Sequence, residues 1–215
     1  MEIQRHYDRR SRFYDLPLIG GEVFYNKPRR NAVQDLALSE GSLVLDIACG
    51  TGLNFRLLQQ AIGPDGRIIG LDYSQGMLRR AARKIEANNW TNVTLIHEDA
   101  RNLSRDLLQP YIGEREPDAV LCTLGFTVIP DWESVFDQSF ALLKTGGRYV
   151  IMDDRKFEGV RRVLNPLVCL FLTLVAKADC HREPWKPLES QSNDFRMSHF
   201  LGGINFVFVA SGTKE

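Results

Sequence analysis

Two acids in the first half of the chain each close a short apolar run, and small residues follow the first one directly. Asp46 ends the run Leu-Val-Leu that starts at Leu43. The turn after it consists of Ala48, Cys49, Gly50 and Gly52. Glycines beside a strand end let a ligand approach the backbone, because no Cβ stands in the way. The amides at the start of the following helix are available as donors. The pattern predicts a nucleotide-binding turn.

The position of the acids indicates which nucleotide binds. A turn that binds a pyrophosphate reads Gly-x-Gly-x-x-Gly, and Asp46 would repel a pyrophosphate at this place. It suits a cationic group instead, such as the ammonium of an amino acid. Asp72 ends the second apolar run, and an acid about 20 residues past a glycine turn commonly accepts a ribose hydroxyl pair. These features describe S-adenosylmethionine better than NAD.

The same segments resemble the ordered motifs of the Rossmann-like (class I) S-adenosylmethionine-dependent methyltransferases. The matching ranges are 44–54, 68–78, 92–103, 117–131 and 142–154. The resemblance implies an α/β fold: a seven-stranded, mostly parallel sheet with helices on both faces and an antiparallel final strand. The cofactor-binding residues that it implies are Tyr7, Tyr14, Asp46, Ala48, Cys49, Gly50, Gly52, Asp72, Tyr73, Met77, Asp99, Ala100 and Thr123. Ala48 departs from the commonest pattern, which has glycine there. The alternatives are a dinucleotide enzyme and a Rossmann domain that binds no ligand.

Residues 1–30 form a basic arm with interleaved aromatic residues. Seven Lys or Arg stand against four acids, which fits a lid over the cofactor, a patch for an anionic membrane surface, or a solvated helix packed on the sheet. The doublet Tyr-Asp-x-x-Ser-x-x-Tyr-Asp at 7–15 resembles the N-terminal element of quinone C-methyltransferases and bacterial phospholipid N-methyltransferases. In those relatives the element closes over the cofactor, so Tyr14 is a candidate catalytic residue as well.

Composition excludes some function classes. Of 215 residues, 27 are Lys or Arg and 27 are Asp or Glu, so the basic excess of a general nucleic-acid binder is absent. The segment after Thr123 also lacks the Asn/Asp, two prolines and aromatic residue of the amine methyltransferases of nucleic acids. It resembles the quinone C-methyltransferase group instead. We therefore expect no nucleic-acid partner.

The cysteines and the N-terminus bear on the compartment. Cys49, Cys122, Cys169 and Cys180 show no Cys-x-x-Cys spacing, so we expect buried free thiols in a reducing compartment. The first ten residues lack the apolar core of a signal peptide. These features predict a cytoplasmic protein, with peripheral contact at the inner face of the membrane as a further hypothesis. No paired histidines or Cys-His cluster at metal spacing occurs, so no metal is implied.

The length favours one domain with three parts: the arm (1–30), a cofactor-binding core (31–154), and substrate-side helices with a closing hairpin (155–215). We expect helices over 31–38, 75–88 with Ser74 as N-cap, and 132–143. Residues 195–200 and 205–210 are predicted to form the hairpin, joined around Gly202 and Gly203.

The segment 163–178 is apolar almost all round. It is shorter than the ~20 residues that span a bilayer, and Pro166 interrupts it. The default expectation is a buried helix; a lipophilic substrate mouth or a membrane-dipping element is the alternative. The segment 178–185, with Ala-Asp, Arg and Pro-Trp, resembles the bacterial phospholipid and amino-lipid N-methyltransferases.

Methyl transfer from a sulfonium depends largely on positioning and desolvation. A nitrogen acceptor has only to arrive neutral, whereas a quinol carbon or a hydroxyl also needs a base. Asp153 and Asp154 follow a predicted strand end, so they are candidate catalytic residues, as base or substrate contact; exposed loop acids are the alternative. The other candidate bases are His6, His181 and His199.

The sequence therefore predicts a methyltransferase for a lipid or amphipathic substrate. The favoured acceptor is the headgroup amine of a phospholipid of the phosphatidylethanolamine type, next to an anionic membrane. C-methylation of a quinone is the alternative, followed by a soluble small molecule. A non-catalytic scaffold that has kept the fold is the hypothesis from another class.

Overall fold

One sheet of seven strands organises the chain. This computed structural model describes residues 2–11, 22–157, 159–200 and 206–215. The sheet order is β3-β2-β1-β4-β5-β7-β6, formed by β1 (Leu43–Ile47), β2 (Arg67–Asp72), β3 (Val93–His97), β4 (Ala119–Thr123), β5 (Arg148–Asp154), β6 (Ser192–Phe200) and β7 (Val207–Lys214). Strands β1 to β5 are parallel, β7 is antiparallel to β5, and β6 is antiparallel to β7. The predicted fold class is confirmed.

Helices cover the sheet on both faces. Strand β1 is therefore buried on both faces as well. Alternate residues of a strand point to opposite faces. Leu43 and Leu45 therefore enter one buried apolar cluster, and Val44 enters the other. The helices are α1 (Glu2–Arg10), α2 (Glu22–Asp35), α3 (Phe55–Ile62), α4 (Gln75–Ala87), α5 (Arg105–Ile112), α6 (Trp132–Leu142), α7 (Asn165–Ala176) and α8 (Trp185–Gln191).

The strand order reverses between β1 and β4. Strands β2 and β3 continue the sheet beyond β1, and β5, β7 and β6 continue it beyond β4. The crevice at the carboxyl ends of the strands at such a reversal is where open α/β sheets bind ligands. The first turn and Asp72 both lie at this edge.

Local signals place the starts of α4 and α6 correctly. Ser74 caps α4, since its hydroxyl accepts from the Met77 amide at 3.2 Å. The helix expected over 31–38 is the second half of the longer α2, which begins at Glu22 and crosses the boundary between residues 30 and 31. The predicted hairpin is present as β6 and β7, while its turn at 201–205 lies outside the described residues.

The helix expected over 163–178 departs from its default prediction. Pro166 does not interrupt α7 but lies in its first turn, where its missing amide hydrogen removes no helical bond. The default of a buried helix is wrong, because Leu167 and Phe171 are exposed. Within the described ranges, no helix is both long and apolar enough to cross a membrane.

The cysteine prediction is correct for two residues and wrong for two. Cys49 and Cys122 are free and buried. Cys169 and Cys180 form a disulfide, with Cα atoms 5.4 Å apart. Lys177 ends α7 in a left-handed conformation, with φ of 56°. The chain therefore turns back there, and Cys180 comes beside the helix that carries Cys169.

Candidate functional site

The turn after β1 brings backbone to the sheet edge. Ala48, Gly50 and Gly52 all have positive φ, between 53° and 75°. A Cβ on Gly52 would lie 2.6 Å from the ring of Phe55, so this position requires glycine. A left-handed alanine destabilises the fold by roughly 1–2 kcal/mol relative to glycine. This is the expected consequence of having Ala48 where the commonest pattern has glycine. The turn leaves small residues at the ligand-facing edge.

Asp72 is held by the turn and by the start of α4. One carboxylate oxygen accepts from the Gly50 amide at 2.8 Å, and the other accepts from the Ser74 amide at 2.7 Å. Burial raises the pKa of Asp72 to about 6, partly offset by these two bonds. Each oxygen keeps lone-pair capacity for a further donor. Asp72 is therefore an anchored acceptor for a pair of hydroxyl groups.

A cavity of about 320 Å³ lies above the turn. It is lined by Ile3, Gln4, Tyr7, Ala48, Gly50, Leu71, Asp72, Tyr73, Ser74, Met77, Asp99, Ala100, Arg101, Thr123, Leu124, Gly125, Val128, Ile129 and Pro130. The lining joins the ends of β1, β2, β3 and β4 with α1. A volume of this size is typical of a small-molecule site.

Asp99 and Ala100 form one end of a short 3-10 turn at Ala100–Asn102. The Asp99 carboxylate caps this turn by accepting from the Arg101 amide, and it forms an ion pair with the Arg101 guanidinium at 2.6 Å. The hydrogen bond from Arg101 lowers the pKa of Asp99. Asp99 therefore stays a charged acceptor in the cavity wall.

Helix α1 covers the cavity as a lid. Ile3, Gln4 and Tyr7 point into the cavity lining. The Gln4 amide donates to the Tyr73 carbonyl at 3.2 Å, and the Tyr7 hydroxyl donates to the Ala176 carbonyl at 2.8 Å. Helix α1 is therefore part of the cavity wall, and its closing over the cofactor stays a prediction.

Asp8 fastens this lid to α4. One Asp8 oxygen accepts from the Ser74 hydroxyl at 2.6 Å and from the Gly76 amide at 2.7 Å. The Gly76 amide belongs to the first turn of α4, where helix amides have no helical partner. Gly76 also permits close approach, since a Cβ there would lie 3.0 Å from the Asp8 backbone. Sequence analysis did not assign Asp8, although the Tyr-Asp doublet contains it.

A buried polar network lies behind the cavity. Asn54 donates to both oxygens of Asp46, at 2.9 and 3.0 Å. Arg29 donates to the Asn54 carbonyl at 2.5 Å and to the Thr123 hydroxyl at 3.2 Å. Burial raises the pKa of Asp46 to about 7, while Asn54 and Arg29 act in the opposite direction. Thr123 is the member of the network that reaches the cavity lining.

Arg29 is a functional candidate that sequence analysis placed differently. It was counted with the basic arm, but its side chain is only 7% exposed. Its partners lie 25 and 94 residues away along the chain. No local pattern around residue 29 signals them.

Asp153 and Asp154 are buried at the end of β5. Asp153 accepts from the Thr127 hydroxyl at 2.6 Å, and Asp154 accepts from the Tyr25 hydroxyl at 2.9 Å. Burial raises the pKa of Asp153 to about 6 and that of Asp154 to about 8. The alternative of exposed loop acids is wrong. A catalytic role for either carboxyl stays a prediction, and neither lines the cavity described above.

The predicted cofactor residues divide into three groups. Nine line the cavity together: Tyr7, Ala48, Gly50, Asp72, Tyr73, Met77, Asp99, Ala100 and Thr123. Asp46, Cys49 and Gly52 lie behind the wall and support the turn, so the pairing of Asp46 with an ammonium stays a prediction. Tyr14 lies outside the described residues.

The residues present fit S-adenosylmethionine. Asp72 offers two anchored oxygens to ribose hydroxyls, and Asp99 offers a charged acceptor in the same cavity. Ala48 and Gly50 place backbone in the wall without bulky side chains. A parallel sheet with these groups at its point of reversal defines a Rossmann-like nucleotide-binding protein.

Comparison with known proteins indicates the type of enzyme. A family model described as a methyltransferase domain matches residues 44–147. A solved S-adenosylmethionine-dependent methyltransferase from Aquifex aeolicus has the same fold, with a TM-score of 0.63 and 15% identity, covering 97% of this chain and 98% of its own. Residues 44–147 are therefore a methyltransferase domain, and the chain is an S-adenosylmethionine-dependent enzyme with the Rossmann-like methyltransferase fold.

Three similar curated proteins carry the same name. The demethylmenaquinone methyltransferase of Geobacillus sp. (strain WCH70) is 28% identical over 200 residues, which is 90% of this chain and 79% of the relative. That of Listeria welshimeri is 30% identical over 141 residues, 65% of this chain and 57% of the relative. That of Shouchella clausii is 30% identical over 125 residues, 58% of this chain and 50% of the relative. In the latter two comparisons the chain spans little more than half of the relative's length.

Proposed function

We propose that this enzyme methylates a ring carbon of a quinol that carries a lipophilic side chain. The observation that carries the proposal is the apolar part of the cavity lining, at Ile3, Leu124, Val128 and Ile129. A flat, uncharged ring is the kind of acceptor that such a wall accommodates. The relatives named demethylmenaquinone methyltransferase support the same acceptor class.

The bound cofactor supplies a methyl group on a positively charged sulfur. That methyl group would pass to the ring carbon of the quinol, the cofactor would leave as the neutral thioether, and the hydrogen of the ring carbon would leave as a proton. The chain's part is to position and desolvate. Asp72 fixes the nucleoside end, and the lid with Ile3 and Tyr7 excludes water from the reacting groups. Apolar residues around Val128 hold the ring.

The segment that favoured a phospholipid headgroup has another role in the structure. The Asp179 amide donates to the Thr127 carbonyl at 2.7 Å. Arg182 donates to the carbonyls of Phe126 and Ile129, at 2.7 and 2.5 Å. These contacts fix the loop that lines the cavity. They account for Arg182 without a headgroup, so this arginine no longer favours the amine acceptor over the quinol.

Radiolabelled S-adenosylmethionine separates the acceptors. The enzyme is incubated without oxygen with demethylmenaquinol, with the oxidised quinone, or with phosphatidylethanolamine. We expect label only in the quinol, because the oxidised ring lacks the electron-rich carbon that attacks the methyl group. Label in phosphatidylethanolamine would overturn the proposal. So would an unlabelled quinol in a preparation that binds the cofactor by calorimetry.

A further inference from the structure

Helix α7 presents an unusual apolar face. Leu167, Leu170, Phe171 and Leu174 follow the spacing i, i+3, i+4, i+7, which places them on one side of a helix. The 3-10 helix before α7, at Gly159–Leu164, extends this side. The exposed members, which we call the α7 face, are Val163, Leu164, Leu167, Leu170, Phe171 and Leu174, each 45–76% exposed. They are six of the eight large exposed apolar side chains in the described ranges.

The opposite side of α7 packs beside the cofactor cavity. Leu172 is buried in a small cluster with Val128, and Tyr7 packs against the same cluster. Val128 and Tyr7 both line the cavity. The helix thus separates the cavity from the surface on which the α7 face lies. Whatever covers the α7 face therefore lies about one helix diameter, roughly 10 Å, from the cavity.

The charged residues within the segment 159–178 all have the same sign. Between Gly159 and Ala178 the chain has three basic residues and no acidic one. Arg162 and Lys177 are exposed, one near each end of α7. Asp179, which follows, forms an ion pair with Arg182 at 3.5 Å. Exposed apolar residues with basic residues at their ends are typical of helices that lie in the interface of an anionic bilayer.

We propose that the α7 face docks into the surface of a bilayer that contains anionic phospholipid. The apolar side chains enter the acyl boundary, while Arg162 and Lys177 stay at the headgroups. A second copy of the chain fits less well. A helix of this length is about 18 Å long, so its one face falls far short of the roughly 800 Å² per partner that a stable interface buries. The docking deepens the proposed function, because a long-tailed quinol resides in the bilayer.

Vesicle sedimentation of the full chain, without any acceptor, tests the docking. Vesicles consist of phosphatidylcholine alone or mixed with phosphatidylglycerol. We expect the protein to sediment with the mixed vesicles and less with the neutral ones. The double variant Leu167→Asn, Phe171→Asn should bind at least tenfold more weakly and melt at the wild-type temperature, since both side chains are exposed. Tyr111→Asn, at an exposed apolar residue of α5, is the matched control and should bind as the wild type.

Three results would overturn the docking proposal. The wild-type chain stays in the supernatant with both kinds of vesicle, or the double variant sediments like the wild type. The third is a dimer in sedimentation equilibrium that the double variant abolishes, which would assign the α7 face to a second copy. Because no quinol is present, a failed methylation assay leaves this test unaffected, and the two proposals fail separately.

Discussion

Replacing Gly76 by alanine tests whether the lid holds the cofactor. The new Cβ would lie 2.9 Å from the Ser11 hydroxyl oxygen and 3.0 Å from the Cα and carbonyl oxygen of Asp8. The two backbone contacts cannot be relieved by a side-chain rotation, so α1 has to move by some tenths of an ångström. No cavity-lining atom is changed. If α1 did not pack against this position, alanine would instead stabilise α4 by about 1 kcal/mol relative to glycine.

The expected size follows from the bonds that Asp8 makes. Its carboxylate accepts two hydrogen bonds from α4, and bonds to a charged group contribute about 1.5–3 kcal/mol each. A small displacement weakens these bonds without removing them. We therefore expect the free energy of closing α1 over the cavity to become about 1–2 kcal/mol less favourable. This corresponds to a roughly 5- to 30-fold higher Kd for S-adenosylmethionine. Gly76→Gln, which carries a longer side chain, should have at least the same effect.

Calorimetric titration with S-adenosylmethionine measures the effect. Ala82→Gln, on the exposed side of the same helix, controls for changes in helix propensity and should bind as the wild type. The lid explanation requires that affinity falls while the melting temperature without cofactor stays close to that of the wild type. If both Gly76 variants bind within twofold of the wild type, α1 does not contribute to cofactor binding and the reasoning is refuted.

Three further substitutions test the buried polar groups. Since an ionised acceptor favours the ribose hydroxyls and the pKa of Asp72 is about 6, wild-type affinity should fall as pH drops below about 6; Asp72→Asn should be about 10- to 100-fold weaker at pH 8 and lack that pH dependence in calorimetry. Burial raises the pKa of Asp154 to about 8, above the usual value near 4, so the folded state keeps a proton that the unfolded chain releases, and stability is lost as pH rises between these values. Asp154→Asn, which still accepts from Tyr25, should therefore melt at least about 2–4 °C higher at pH 8 and little differently at pH 4; equal melting at pH 8 would contradict the assignment. Arg29→Met removes a donor from Asn54 and should lower the free energy of unfolding by about 1–3 kcal/mol in urea, with partial recovery in Arg29→Lys; unchanged stability would exclude a role for Arg29 in the network.

The cofactor frame was predictable because its signals are local. An apolar run, a small-residue turn and an acid one strand later need no information from distant parts of the chain. The same holds for Ser74, whose capping bond reaches only three residues along the chain. The cavity accordingly brings together nine of the residues predicted for the cofactor. Local rules therefore indicate which edge of the sheet binds the ligand.

Features that depend on distant packing were not predictable in the same way. The α7 face is apolar enough for a core, and its exposure follows only from the number of neighbouring elements that pack on it. The Cys169–Cys180 disulfide depends on the left-handed conformation of Lys177. Lysine rarely adopts this conformation, so the sequence did not predict the turn. The sequence does not distinguish Arg29 from the other arginines of the basic arm. Its buried role depends on hydrogen bonds to Asn54 and Thr123, which are distant along the chain.

The acids at the strand ends show how far the strand-end rule extends. It predicts that Asp46, Asp72, Asp153 and Asp154 lie at one edge of the sheet, and they do. It does not predict which of them reaches the ligand. Asp72 lines the cavity, whereas Asp46 is covered by Asn54, and Asp154 is covered by Tyr25 from 129 residues away. Burial raises the pKa of Asp46 and Asp154, and the hydrogen bonds from Asn54 and Tyr25 offset part of this rise. A strand end therefore assigns an acid to the edge of the sheet, and only the elements that pack over it decide whether it is charged and accessible enough for chemistry.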